Sequence, residues 1–238
     1  MKYRWRSGYL RQQQRKTGRG PPEGEDEEAD IQVFSDRSDI DNKVGATAVM
    51  YRRGQESKTV RYHIRALMDH TVFEAEAIGL FLALHLLSSE QDAGKVKIQL
   101  DNQAVLSALL IRKPWPAKSI SDHVISQIES NWKRSQNRDY RLVIEWVRGH
   151  SGTEGNEKVD AEVKLAAKGQ SSRACCLPDF LSMGVLPKSI SARRQEFNAR
   201  LNATWAQAWA ASPRYARAKG IDPSMPSKAF HKLVKGMS

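Results

Sequence analysis

The stretch HTVFEAEAIGLFLALHLL, residues 70–87, decides the fold because it predicts a helix that is stable only inside a protein core. Thr71 followed by Glu74 is the capping-box pattern that opens helices. Apolar residues then occur on every side of the helix, which is typical of a buried helix. Glu76 interrupts this apolar surface, and burying its carboxylate costs on the order of several kcal/mol unless it is paired or binds a cation.

The segments on either side of this helix predict strands and further helices. Before it come three strand-like runs separated by short breaks, which favour an antiparallel meander: IQVFSD (31–36), VGATAVMYRR (44–53) and KTVRYHIRAL (58–67). After it, strands and helices alternate: KVKIQL, NQAVLSALL, WPAKSISDHVISQIESNWKRS, RLVIEWV and GNEKVDAEVKLAAKG. We therefore predict an α/β protein with a mixed sheet and helices packed on it.

The composition predicts one folded domain between two charged tails. The 238 residues are 40% hydrophobic, enough for one core, and carry a net charge of +11. We predict a disordered basic and acidic arm at 1–30, a domain at 31–169, and a linker with a basic helical extension at 170–238. Basic tails favour nucleic acid as the partner; the alternative is that they are merely solvated.

The cysteines and the apolar runs predict an intracellular protein without a membrane span. Cys175 and Cys176 are adjacent, which is neither a disulfide framework nor a metal-ligand spacing, so we expect a reducing compartment such as the cytoplasm or nucleus. The longest apolar run, 77–87, is far shorter than the ~20 residues of a membrane span. No apolar segment of a signal peptide follows the basic N-terminus.

Acidic residues occur where the predicted elements would build a site. Asp36 ends the first strand, Asp101 ends the fourth, and Glu76 and Asp160 lie in helices. Converging carboxylates favour a hard divalent cation, and Mg²⁺ usually keeps waters and engages substrate phosphate. Two such ions about 3.5 to 4 Å apart can activate a water and stabilise the leaving oxygen in a phosphodiester displacement.

Several of these acids have a simpler alternative role. Glu74 has a sufficient role in the capping box. Asp101 could cap the helix that follows it, since aspartate is a good cap. Asp160 and Glu157 could be solvated acids on a helix face, and Asp39 looks like a turn residue.

Four motifs together resemble a known family. In chain order they are FSDRS, TVFEAEAIGL, IQLDNQA and WVRGHSGTEGNEKVD. Over Ile31 to Gly169 the chain resembles the type 1 ribonuclease H domain, most closely the version carried by fungal non-LTR retrotransposons. Four motifs in matching order are far more specific than one. The resemblance implies a ribonuclease H-like fold, with a five-stranded mixed sheet and helices on both faces.

The resemblance also implies an activity: hydrolysis of the RNA strand of RNA/DNA hybrids with two Mg²⁺ ions, for which Mn²⁺ is an alternative. It implies these site residues: metal ligands Asp36, Glu76, Asp101 and Asp160; catalytic His150, which would transfer a proton or assist product release; substrate contacts Ser38, Asn102, Gln103 and Asn156. The alternatives are a catalytically inactive nucleic-acid-binding remnant, a DNA-cleaving relative on the same fold, and, for His150, a plain surface histidine.

The resemblance continues into the C-terminal segment. There the chain resembles the region after ribonuclease H in fungal element polyproteins, so we expect a monomeric fragment whose partner is the reverse transcriptase of the parent element. Phe197, Leu201, Trp205 and Trp209 recur every four residues. This stripe either packs on the core or a missing neighbour, or stacks on single-stranded bases.

Arg37 departs from the family pattern. The family usually has Asp-Gly-Ser where this chain has Asp36, Arg37 and Ser38. One interpretation is backbone strain at a position that favours glycine, and the other is a contact with substrate phosphate. We favour strain. We also expect Gly149, Gly152 and Gly155 to keep the loop around His150 mobile.

Overall fold

The computed structural model describes residues 2–6, 9–13, 29–66, 69–111, 118–147, 154–183, 186 and 188–221. The chain divides into two compact units, Met1–Arg193 and Arg194–Ser238. The first unit contains the sheet, the core and the site residues discussed below.

The first unit is built on one mixed sheet, which has seven strands in the described residues. The strands are β1 Lys2–Arg6, β2 Tyr9–Gln13, β3 Ile31–Ile40, β4 Lys43–Arg52, β5 Gln55–Ala66, β6 Lys95–Leu100 and β7 Arg141–Trp146. Their order is β2-β1-β7-β6-β3-β4-β5. The strands β3, β4 and β5 form the predicted antiparallel meander, and β6 runs parallel to both β3 and β7. The predicted five-stranded mixed sheet, β3 to β7, is confirmed.

Two strands lie in the N-terminal arm, where the sequence predicted none. Strand β1 pairs antiparallel with the edge of β7, and β2 pairs with β1. The edge strand of a sheet presents unpaired backbone groups that another strand can satisfy, which gives a physical reason for this pairing. Residues 14–28 of the arm lie outside the described residues.

Helices α1 Val72–Leu86 and α4 Glu154–Ala167 lie on opposite faces of the sheet. On β3, Val33 belongs to the large core cluster that includes α1, whereas its neighbour Phe34 packs with Val159 of α4 in a second cluster. Successive side chains of a strand point to opposite faces, so the two helices cover different faces. The prediction of helices on both faces is thereby confirmed.

Five more α-helices lie in the described residues: α2 Gln103–Ile111, α3 Lys118–Arg134, α5 Asp179–Ser182, α6 Ile190–Ala210 and α7 Tyr215–Ile221. Two short 3-10 helices, Leu87–Ser89 and Ala174–Cys176, accompany them. The segment Val72–Ser89, which contains α1, is long and apolar enough to cross a membrane by composition, but 72% of it is buried in the protein. This is the behaviour of a core helix, as its all-round apolar sequence predicted.

Helix α4 ends at Ala167, and the first unit continues beyond it. Gly169 has a φ of +99°. The amide of Gly169 donates to the Ala166 carbonyl and that of Gln170 to Leu165, which closes the helix in the way glycine permits. Beyond it, Leu177, Leu181 and Leu186 are buried in the core. The first unit therefore extends past residue 169, where the sequence analysis ended the domain, as far as Arg193.

The stripe on α6 is exposed in the described structure. Phe197, Leu201 and Trp205 have 64%, 54% and 43% of their surface accessible. The rings of Trp205 and Trp209 stack with centroids 5.9 Å apart, one helical turn from each other. Base stacking by this stripe stays a prediction.

Two glycines bring α4 close to the sheet. A Cβ at Gly45 of β4 would lie 2.3 Å from the amide nitrogen of Ala167, and a Cβ at Gly155 would lie 2.2 Å from the ring of Phe34. Neither distance is compatible with a side chain. Gly155 thus lies inside a helix and permits close packing, which differs from the mobile-loop role predicted for it; Gly149 and Gly152 lie outside the described residues.

We expect Gly45→Ala to lower the free energy of unfolding by about 3 kcal/mol, the upper end of overpacking effects, because the obstacle is the main chain of α4 rather than a flexible side chain. Urea unfolding followed by circular dichroism measures this. Gly220→Ala is the control, since a Cβ there meets nothing within 4 Å. Equal stability of Gly45→Ala and the unmodified protein would contradict the close approach of α4.

Candidate active site

The four predicted metal ligands line one cavity of about 300 Å³. Asp36, Glu76, Asp101 and Asp160 come from β3, α1, the residue after β6, and α4 respectively. The other lining residues are Ser35, Arg37, Ser38, Asp39, Gln99, Leu100, Val147, Asn156 and Val159. The structure therefore brings Asp36 and Asp160, which are far apart in the sequence, into the same cavity.

Strand pairing explains how Asp36 and Asp101 meet. Strands β3 and β6 are parallel neighbours, and Phe34 lies opposite Gln99. Two residues further along each strand direction the chain reaches Asp36 and Asp101. Because alternate residues of a strand share a face, this register brings the two carboxylates to the same side of the sheet.

The two helices supply the remaining acids from closely packed positions. Glu76 is on the buried helix α1, which approaches β3 so closely that a Cβ at Gly79 would lie 3.4 Å from the Asp36 carbonyl oxygen. Asp160 is on α4, which is held against β3 where Gly155 meets Phe34. The contact at Gly155 leaves no room for a side chain, whereas a Cβ at Gly79 would make an ordinary van der Waals contact, so of these two glycines only the one on α4 is required.

The carboxylates are electrostatically coupled. The pKa of Glu76 is raised to about 8, mainly by burial and further by the negative charges of Asp101 and Asp36, against the lowering effect of Arg37. The pKa of Asp36 is likewise raised, to about 6, mainly by burial and further by repulsion from Asp101 and Asp160, while the Arg37 amide, which donates to this carboxylate, lowers it. Desolvation and like charges both disfavour the ionised carboxylates. A cation placed among them would relieve both effects.

Basic side chains already contact part of this cluster. The Arg37 Nε donates to Glu76 Oε1 at 3.2 Å, and its Nη1 donates to Asp39. Lys164 donates to Asp160 one helical turn away. In the part of the chain that the structure describes, no group of three or more acidic, histidine or cysteine side chains is arranged to hold a metal ion. The donor set, all carboxylate oxygens, fits a hard divalent cation in its chemistry.

The backbone of Arg37 does not support the strain that the sequence analysis favoured. Arg37 lies within the continuous strand β3, opposite Ala46 of β4. The non-glycine residues with positive φ among the described ones are Asp41, Asn42 and Arg53. Arg37 therefore occupies ordinary extended backbone that any residue adopts, and the strain interpretation is wrong.

Asp101 is not the cap of α2. The Asn102 Oδ1 accepts from the amides of Ala104 and Val105, at 2.9 and 3.3 Å. These bonds are the ones that an N-cap side chain makes. The Asp101 side chain is exposed to the cavity, and its carbonyl accepts from Trp146 Nε1 at 2.8 Å. The alternative role considered for Asp101 is thus taken by its neighbour.

Glu74 fulfils the capping role and does not line the cavity. Its Oε2 accepts from the Thr71 amide at 2.7 Å, while its own amide donates to Thr71 Oγ1 at 3.3 Å. The capping box predicted from sequence is therefore present. Glu76, two residues on, is the acid of α1 that faces the cavity.

The predicted substrate contacts divide into two groups. Ser38 and Asn156 line the cavity. Asn102 and Gln103 lie at the start of α2, outside the lining, and Asn102 is engaged as the cap. His150 lies outside the described residues, together with the loop around it.

The sequence analysis missed three lining residues. Arg37 was considered for strain or phosphate but not as the partner of Glu76, and Asp39 was interpreted as a turn residue although it belongs to β3. Gln99 was not considered: its Nε2 donates to Glu145 Oε1 at 2.6 Å across the parallel pair. Gln99 lies two positions before Asp101 and therefore shares its face of the strand, which is the signal that could have identified it.

Comparison with known proteins gives a family match for more than half of the chain. The RNase H family profile matches residues 28–168. No curated protein matches the chain in sequence. Among solved structures, RNase H1 from Halobacterium salinarum is 15% identical, with a TM-score of 0.44 over 59% of this chain and 98% of that one. LC11-RNase H1 in complex with an RNA/DNA hybrid is 18% identical, with a TM-score of 0.45 over 58% and 96%.

We expect Asn102→Ala to lower the free energy of unfolding by about 1 kcal/mol, because α2 loses its N-cap. Asp101→Asn should not lower it, since this side chain makes no cap bond and repels Asp36 and Glu76. Urea unfolding of both variants measures the difference. The opposite ranking, with Asp101→Asn the less stable protein, would show that Asp101 supports α2 after all.

Proposed function

The chain belongs to the RNase H family, and on that premise we propose that it is a metal-dependent endonuclease that hydrolyses the RNA strand of RNA/DNA hybrids. The observation that carries the proposal is the meeting of Asp36, Glu76, Asp101 and Asp160 in one cavity. These are the four acids that the family resemblance matches to metal ligands. Burial and mutual repulsion of the carboxylates leave them in need of a cation, which phosphodiester hydrolysis also needs.

We assign roles to the residues around this cavity. Asp36, Glu76, Asp101 and Asp160 would hold Mg²⁺, with Mn²⁺ as the alternative. Held by these residues, a divalent ion would supply an activated water and would stabilise the leaving oxygen. Ser38 and Asn156, which line the cavity, would contact the substrate strand. His150 would carry a proton, for which imidazole is suited near neutral pH.

The net charge of the chain suits the proposed substrate. A hybrid duplex is a polyanion, and the sequence has a net charge of +11. Recognition would rest on duplex shape, phosphates and 2′-hydroxyl groups rather than on base sequence. We also propose, from the sequence resemblance alone, that the domain comes from a non-LTR retrotransposon polyprotein and works beside its reverse transcriptase.

A second candidate function is hybrid binding without cleavage. One observation favours it: Arg37 and Lys164 already bond to Glu76 and Asp160, two of the four proposed ligands. A labelled RNA/DNA hybrid incubated with and without Mg²⁺, beside duplex RNA and duplex DNA, separates the two candidates. Cleavage of the RNA strand of the hybrid supports the nuclease; retention of intact hybrid supports the binding protein.

We expect Asp101→Asn to reduce hybrid cleavage at least about a hundredfold, the loss that a misplacement of about 1 Å can produce, because one ligand charge is removed. The fold should persist, since Asn102 rather than Asp101 caps α2. Rates from single-turnover cleavage and the far-ultraviolet spectrum measure the two effects. A folded variant that cleaves at the unmodified rate would remove Asp101 from the site.

Two glutamate-to-glutamine substitutions on α1 test which glutamate acts in catalysis and which one caps the helix. Glu76→Gln should lose cleavage, whereas Glu74→Gln should keep most of it and lose at most about 1 kcal/mol of stability. The two substitutions have the same chemistry two residues apart, but only Glu76 lines the cavity. Cleavage rates and urea unfolding are measured for both. Loss of cleavage in folded Glu74→Gln would mean that the wrong glutamate has been assigned.

A further inference from the structure

Arg37 is the basic residue among those that line the acidic cavity. It lies on β3 directly after Asp36, and 25% of its side chain is accessible. Its Nε donates to Glu76 Oε1 at 3.2 Å, and its Nη1 donates to Asp39. The guanidinium therefore bridges two carboxylates that both line the cavity.

The bond to Glu76 is of a kind that resists displacement. Glu76 is buried, with 6% of its side chain accessible, so water screens the pair poorly. A charge-assisted hydrogen bond in such surroundings is stronger than a neutral one, and the planar guanidinium suits a carboxylate. The second hydrogen bond, from Arg37 Nη1 to Asp39, holds the guanidinium beside Glu76.

The contact between Asp160 and Lys164, a residue outside the cavity lining, is much weaker by the same criteria. Lys164 meets Asp160 as an i,i+4 pair on α4, with 52% and 31% of the two side chains accessible. Exposed pairs of this kind contribute little and are readily screened. Breaking the contact between Lys164 and Asp160 therefore costs little free energy, whereas the contact of Arg37 is with the buried carboxylate of Glu76.

We propose that Arg37 sets the divalent-metal affinity of this site by holding Glu76 in an ion pair that the metal has to displace. The inference rests on the proposed function, because it concerns the same carboxylates. A cation that binds Glu76 both breaks the Arg37 contact and meets the positive charge of the guanidinium. Both effects weaken binding, so loss of the Arg37 side chain strengthens it.

The test is metal binding by the intact protein without nucleic acid. Mn²⁺, which takes the same carboxylate oxygens as Mg²⁺, is titrated into the protein and the free ion is followed by electron paramagnetic resonance. We expect Arg37→Ala to lower the Kd by about tenfold, and Arg37→Lys, which keeps the charge but not the fork, to lower it less. The shift of Tm with Mg²⁺ gives a second readout.

Arg52→Ala is the matched control. Arg52 also bonds to two acids, Glu90 and Asp92, at 2.6 and 2.8 Å, so its removal changes the net charge equally. It lies opposite Ile31, the first residue of β3, whereas Asp36 lies in the middle of that strand, and it does not line the cavity. Its Kd should match that of the unmodified protein. A tenfold change in Arg52→Ala would attribute the effect to overall charge and overturn the inference.

Hybrid cleavage measured on the same variants distinguishes the inference from the proposed function. If the unmodified protein binds Mn²⁺ and cleaves hybrid while Arg37→Ala binds no more tightly, the inference alone fails. The same holds if Arg37→Ala only weakens hybrid binding, which would make Arg37 a phosphate contact. If Arg37→Ala binds Mn²⁺ more tightly but no variant cleaves hybrid, the inference stands and the nuclease function fails. If no variant binds Mn²⁺, both fail.

Discussion

The structure depends on one constraint, the burial of a carboxylate in the central helix. Helix α1 is buried on nearly all sides, and Glu76 within it has 6% of its surface accessible. A charge in that position is stable only beside a cation or a proton, and its raised pKa of about 8 expresses this need. Glu76 is therefore ionised near neutral pH only where its surroundings supply positive charge, and the Arg37 guanidinium supplies part of it.

The sheet and α4 bring further carboxylates into the cavity beside Glu76, which increases the repulsion between negative charges there. The parallel register of β3 and β6 brings Asp36 and Asp101 to the same cavity, and the close contact of Gly155 with Phe34 holds α4, and with it Asp160, against β3. Each added carboxylate raises the free energy of the ionised cluster. A fold stabilised for its own sake would separate these charges. Their convergence is the observation that supports the proposed cation at this site.

Much of the fold and part of the site could be predicted from sequence, for identifiable reasons. The Thr71 capping box, the apolar α1 and the alternation of strands and helices are local patterns, and the structure confirms each of them. The role of Asn102 as the cap could not be separated from that of Asp101, because adjacent polar residues fit the same pattern. The contacts of Gly45 and Gly155 join segments more than a hundred residues apart, which no local pattern encodes.

Arg37 illustrates the limit of reasoning from a departure in sequence. An arginine in place of an expected glycine suggests backbone strain when only the sequence is known, since glycine is often required by φ. The extended backbone of β3 does not require glycine at this position. The Arg37 side chain instead has a role of its own, since its guanidinium bonds to Glu76 and Asp39. Because Glu76 is buried, a cation beside it stabilises the folded protein whether that cation is a metal or an arginine. The same contact that stabilises the folded cavity thus opposes the ligand on which the proposed chemistry depends.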